Sequence, residues 1–282
     1  MTRSPRSARR SVIPWLLLGV SLAVSACGAK AHSGVLRVCA DPNNLPFSNN
    51  RGEGFENRLA EMIAADRGER VEYTWWPQRR GFIRNTLAAD ACDVIMGLPT
   101  LDRAARVTQP YYRSTYVFIS RQGEHPHLTS LDDPRLGRVR IGVQMIGDDF
   151  ANSPPAHALS ARGLIGNIVG YSVFGDYSQP NPPARIVDAV ASQDIDVALV
   201  WGPLAGYFAR RAARPLEVSP LADAQDGPSR PFAFDISMAV RKGDVARQRA
   251  LDAFIVRQRE QIDRLLTEYG VPRAPGAVRG TS

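Results

Sequence analysis

Residues 75–82 read WWPQRRGF, and this concentration of indole and guanidinium groups is the first place where the sequence offers chemistry. Arg79 and Arg80 carry the planar fork of donors that clamps an anion. Tryptophan with arginine is equally a combination that anchors protein interfaces. Successive strand residues point to opposite faces, so Trp75 and Trp76 cannot share a side. One is expected to pack between helix and sheet while the other faces a cleft. Arginines in a first helical turn oppose the helix dipole by roughly a few tenths of a kcal/mol. That local conflict favours a functional role for them over a merely solvated one.

Other candidates are more dispersed. Asn43, Asn44 and Phe47 lie in the first long turn, where a cleft residue would sit, although asparagine also serves plain turn geometry. Glu56 opens a helix, where an acid complements the dipole. Tyr111 and Tyr112 precede a strand and either cap a pocket or pack. His125, His127 and His157, with Asp132 and Asp133 nearby, lack a further ligand at fixed spacing, so no metal site is assigned. Asp148 with Asp149 is a single acidic pair, too few oxygens for a hard-cation cage. There is no G-x-S-x-G elbow, H-E-x-x-H, phosphate-cradling loop or dinucleotide fingerprint, so neither catalysis nor a cofactor is expected.

Residues 1–10 hold four arginines and no acid, and the almost wholly apolar stretch 12–24 ends in Ser25, Ala26 and Cys27. This reads as an export signal over residues 1–26, since about 13 apolar-rich residues fall short of the roughly 20 that cross a bilayer. The tetrapeptide VSAC resembles a lipobox, which would place a lipid and membrane attachment on Cys27; Ala29 and Ala31 offer an ordinary cleavage site instead. Without the four arginines of the signal, 31 basic side chains face 28 acidic ones, a net of +3. Such a balance does not supply the basic face of a nucleic-acid binder. Export would leave Cys39 and Cys92 where a disulfide is permitted, and both a bridge and two buried thiols stay open.

The elements that must position these residues follow from periodicity. Strands are expected at 35–40, 71–76 and 93–97. Helices are expected from Gly54 to Gly68, with Phe55, Leu59, Met62 and Ile63 inward, and from Pro77 to Asp90, with Phe82, Ile83 and Leu87 inward. That β-α-β-α-β order implies a parallel sheet. Further strands are expected at 115–120, 139–143, 196–200 and 232–240, and a helix at 183–191. One terminal amphipathic helix carries Phe254, Ile255, Ile262, Leu265, Leu266 and Tyr269 and stops at Gly270. The fold class is therefore α/β with two lobes joined by two crossings: 34–120 plus 231–272, and 121–230, with 273–282 as a flexible tail. A cleft should open between the lobes at the carboxyl ends of the strands.

The run GLPTLDRAARVTQPYY at 97–112 resembles a signature of type II periplasmic solute-binding proteins of the amino-acid receptor branch. The opening strand and loop, VRIGVQ at 139–144 with its Gln144, and the terminal helix extend that likeness over nearly the whole mature chain. The resemblance implies Thr100 and Arg103 as ligand contacts, with Arg103 clamping a carboxylate. Receptors of that branch place an Asp after the strand at 196–200 to hold the ligand's ammonium. Here VWGPLAGYF puts Trp201 there, and an indole offers at most a π face. A narrower resemblance rests on CADPNNLPFSN (39–49), GFEN (54–57), YTWWPQRRGFIRNTL (73–87), CDVIMG (92–97), PYYRSTYVF (110–118) and VWGPLAGYF (200–208). Together they resemble the solute-binding-like companions of PQQ methanol dehydrogenases, the XoxJ/MoxJ type. That implies a periplasmic, non-enzymatic accessory protein assisting activation or maturation of a PQQ-dependent methanol or alcohol dehydrogenase, with the dehydrogenase and its cytochrome c as partners. The alternative is the receptor of an ABC importer for a small organic anion bearing a carboxylate.

Overall fold

The computed structural model describes Met1 and residues 34–125, 127–145, 152–172, 177–222 and 231–275. Residues 2–26 of the expected export signal, Cys27, Asp148, Asp149 and residues 276–282 of the expected tail lie outside them. The chain divides into Met1–Ala31 and His32–Ser282, and the architecture below is that of the second unit.

Alternation of apolar residues in GVLRVCA builds β1 (Gly34–Ala40), which buries Leu36 and Val38. The turn that follows carries a small hairpin, β2 (Asn43–Asn44) and β3 (Ser48–Asn49). Helix α1 (Phe55–Arg67) buries Phe55, Leu59 and Ile63, and Gly68 ends it in the left-handed region at φ 64°. At its start the Asn57 side chain accepts the N–H groups of Gly54 and Asn49, which ties the helix to the hairpin. Strands β4 (Glu69–Trp75) and β5 (Val94–Pro99) both run parallel to β1, as the β-α-β-α-β order requires.

Between them, the helix expected from Pro77 is reduced to one turn, α2 (Phe82–Asn85). Gly81 adopts φ 84°, a left-handed conformation that no helix can pass through, so residues 77–81 form a loop instead. After β6 (Arg106–Val107) comes the long strand β7 (Tyr112–Arg121). Then follow β8 (Ile141–Met145), α3 (Pro154–Ala161) and β9 (Ile168–Ser172). The chain continues through α4 (Arg185–Ala191), β10 (Val197–Trp201), α5 (Gly202–Ala209) and β11 (Leu216–Pro220). It ends in β12 (Ala233–Val240), α6 (Val245–Arg257) and α7 (Arg259–Glu268). The single terminal helix of the sequence reading is thus two, parted at Gln258, which leaves the helical region at φ −103°, ψ 15°. Ile255 and Ile262 are two full turns apart, so their spacing could not reveal the break.

The strands line up as β4-β1-β5-β12-β7-β10-β8-β9. Strand β7 serves three ladders, one of them with β11, whose Pro220 to Leu216 pair antiparallel with Val117 to Arg121. Tyr112 to Thr115 pair antiparallel with Ile236 to Ala233 of β12, and Tyr116 to Ser120 pair antiparallel with Trp201 to Val197 of β10. One core collects Leu36, Phe55, Ile63 and Phe254, and a second collects Phe118, Leu136, Val143 and Leu199. A third, smaller cluster packs Phe82 and Leu87 around Cys39 and Cys92, which form a disulfide with 5.5 Å between their Cα atoms. The bridge closes 53 residues of chain, so replacing both cysteines by serine should lower the unfolding free energy by roughly 2–4 kcal/mol in denaturant titration. A loss below about 1 kcal/mol would mean that the surrounding apolar cluster holds this region without the bond.

Candidate functional site

The carboxyl ends of β5, β8 and β10 converge on a cavity of about 420 Å³, which is also lined from β7 and β12 and by Asp41 and Gln78 in the loops after β1 and β4. Just past β1, the buried carboxylate of Asp41 accepts three hydrogen bonds: from the Asn43 N–H at 2.8 Å, from the Gln78 N–H at 2.7 Å, and from the Tyr177 hydroxyl. Three segments far apart in sequence are knotted at one side chain. The Asn44 amide donates to the Gln78 side chain at 3.1 Å, and the Asn43 amide donates to the Gln179 carbonyl at 2.9 Å, which fixes the first turn against both.

Glu56 projects from the first turn of α1 onto β5. Its carboxyl lies where a side chain on Gly97 would be: a Cβ there would come within 2.2 Å of Glu56 Oε1. The glycine is what lets an acid rest on the strand. No hydrogen-bond donor among the described residues reaches that carboxyl. Glu56 is open in part to the cavity, yet protein crowds it closely enough that desolvation, and secondarily the charge of Asp41, pushes its pKa up to about 8.

The opposite wall is aromatic. Tyr112 and Tyr116 lie four residues apart on β7 and therefore on one face. The Trp201 ring meets those of Tyr116 at 5.4 Å and Phe234 at 5.8 Å, both edge-to-face. Gln144, at the end of β8, accepts the Trp201 N–H at 3.2 Å and so holds the corner where β10 becomes α5. Burial pushes the Tyr112 and Tyr116 hydroxyls above the ordinary phenol range, so both stay neutral. The described lining residues include no lysine or arginine.

Of the residues singled out in the sequence, the cavity brings together Asn43, Asn44, Phe47, Glu56, Tyr112, Gln144 and Trp201. Trp75 and Trp76 do point apart. Trp75 stacks on Tyr73 with 4.4 Å between ring centroids, whereas Trp76 is 42% exposed, and neither lines the cavity. Arg79 and Arg80 are exposed, and the Arg79 guanidinium lies over the Tyr177 ring at 5.2 Å, at the cavity's edge. Tyr111 is fully buried behind Tyr112, with ring centroids 4.9 Å apart. The Thr100 hydroxyl bonds to the Asp235 carbonyl and the Ser237 hydroxyl. Arg103 stands exposed beyond β5, outside the lining. Among the described residues, no group of three His, Cys, Asp or Glu converges as a metal site.

Sequence reasoning did not single out Asp41, Gln78, Tyr116, Tyr177 or Phe234. Period-two spacing from Tyr112 could have reached Tyr116. Nothing local marks Tyr177, which enters only because a distant turn folds onto Asp41.

The bacterial extracellular solute-binding protein family 3 model matches residues 36–272. The chain belongs to that family. This family 3 solute-binding protein is 32% identical over 258 residues to protein MoxJ of Methylorubrum extorquens, covering 89% of this chain and 85% of the relative. It is 28% identical over 275 residues to protein MoxJ of Paracoccus denitrificans, covering 92% and 96%. The crystal structure of the periplasmic binding protein XoxJ from Methylobacterium extorquens AM1 superimposes with a TM-score of 0.70 at 36% identity, over 86% of this chain and all of that one. The architecture is accordingly the two-lobed type II periplasmic binding-protein fold, as the strand order of this family 3 member already indicated.

Glu56 gives the site a pH signature. Its pKa in the folded protein, about 8, lies above its ordinary value of 4.5. The group therefore supports folding fully below about pH 4.5 and withdraws that support as pH rises toward 8, by at most about 1.4 kcal/mol per pH unit. Glu56→Gln should gain stability relative to the parent protein as pH climbs through that window, measured by denaturant unfolding at several pH values. A difference that stays flat with pH would place Glu56 in a water-like environment.

Proposed function

We propose that the protein is a periplasmic accessory protein of a PQQ-dependent methanol or alcohol dehydrogenase, acting in activation or maturation of that enzyme. The observation that carries this reading is the chain-long similarity to MoxJ and XoxJ, which extends through the cavity-bearing elements. The cavity chemistry supports it against an amino-acid receptor. Trp201 occupies the position where an ammonium-binding acid is expected, and a ligand carboxylate would meet Glu56 and Asp41 in a lining whose described residues include no lysine or arginine, Arg79 lying only at the edge over Tyr177.

In this reading the lobes, 34–120 plus 231–272 and 121–230, grip a segment of the immature dehydrogenase and hold it open for cofactor entry. The cavity receives part of that segment, and exposed Trp76, two residues before the cavity residue Gln78, anchors the rim together with Arg79 and Arg80. A tagged protein recovered from cells grown on methanol should bring the dehydrogenase with it in stoichiometric amount. Trp76→Ala should weaken that association by about 2 kcal/mol, roughly thirtyfold, with unchanged thermal stability. Undiminished association would remove Trp76 from the interface. Recovery of a permease with an organic anion, and no dehydrogenase, would overturn the accessory role.

A further inference from the structure

The two carboxyl groups that line the cavity differ in one respect. Asp41 is already engaged by three donors, two from backbone and one from Tyr177. Glu56 has none among the described residues, although it is crowded by protein and rests directly on Gly97. A carboxylate crowded by protein and without a hydrogen-bond partner is costly to ionise, and a cation brought against it would offset that cost. Across the cavity, Tyr116, Trp201 and Phe234 form a corner of edge-to-face rings, a surface that accepts hydrocarbon and whose π faces attract cations.

We infer that the cavity binds an organic cation that carries no carboxylate: an ammonium paired with Glu56, and a hydrocarbon body against Trp201, Tyr116 and Phe234. The inference rests on the cavity being the binding surface proposed above, and it names the chemistry that surface selects. A free amino acid would bring a carboxylate into a lining that already holds Asp41 and offers no described lysine or arginine. An anion meets the same obstacle without the benefit of the ammonium. The titratable groups facing Glu56 are Asp41 beyond β1, Tyr73 on β4, Tyr111, and Tyr112 on β7; burial keeps the three tyrosines neutral. With its carboxyl held up at about 8, Glu56 carries a proton near neutral pH, and an arriving ammonium displaces that proton to solvent. A cavity of about 420 Å³ is within the range of small-ligand pockets and admits a ring-sized amine.

The source of the ammonium is either a free amine or a lysine side chain carried on the partner segment, and matched probes separate them. Calorimetric titration of the mature protein with phenethylamine, L-phenylalanine and 3-phenylpropionate varies the head group while holding the phenyl ring and its two-carbon chain. Phenethylamine should bind, and each carboxylate-bearing probe should bind at least about tenfold more weakly. Glu56→Gln should lose at least about tenfold in amine affinity without a lowered melting temperature, and Trp201→Leu should weaken it independently. Tighter binding of Nα-acetyl-lysine methylamide than of phenethylamine would assign the ammonium to a protein side chain, and the reverse to a free amine. Equal or tighter binding of 3-phenylpropionate, or no binding of either ammonium at millimolar concentration, overturns the inference. These are titrations of the isolated protein, so their failure leaves association with the dehydrogenase intact. Loss of that association would equally leave the titrations intact.

Discussion

Strand β7 takes part in three ladders, and the cavity lies beside the point where its pairing changes. Through Thr115 it pairs with β12; from Tyr116 onward it pairs with β10 and, from Val117, also with β11. Each ladder bond contributes only about 1 kcal/mol net, but leaving a buried strand edge unpaired would cost more for every orphaned group. The handover is therefore fixed, and with it the registers that set Trp201 opposite Tyr116 and Ile236 opposite Tyr112. The aromatic wall is a by-product of strand pairing. Gly202 reinforces it, since a Cβ there would meet the Thr115 carbonyl at 2.6 Å, so α5 begins hard against β7.

The two acids of the cavity show how position in the chain decides the fate of identical chemistry. Asp41 follows a strand end, where the turn presents its own N–H groups and a neighbouring loop adds Gln78, so the carboxylate becomes a structural knot. Glu56 lies one residue inside a helix, and its side chain reaches sideways onto a strand that offers no donor at that point. One acid spends its charge on the fold. The other has no such partner among the described residues and is held largely protonated near neutral pH.

The departures from a nutrient receptor are consistent with one another. An indole replaces the expected acid after β10. The arginine of the 97–112 signature lies on an exposed turn, and the hydroxyl of Thr100 is already committed to Asp235 and Ser237. These are local differences on a shared fold, and a fold by itself does not set function.

What the sequence determined by itself was set by local patterns: the alternation of GVLRVCA, the apolar face of α1 closed by Gly68, the parallel order of β1, β4 and β5, and the turn that carries Asn43, Asn44 and Phe47. Motif order in the sequence also identified the family. The tertiary structure alone decided the pairing of Cys39 with Cys92, which requires two chain segments 53 residues apart to meet. It also decided that Gly81 interrupts the helix after Pro77, that Tyr177 bonds to Asp41 across 136 residues, and that of WWPQRRGF only Gln78 reaches the cavity, with Phe82 packed on the disulfide cluster and Trp76, Arg79 and Arg80 exposed. Periodicity reports which face of an element is buried, but it carries no information about which distant element buries it. A binding cavity is built almost wholly from such distant meetings.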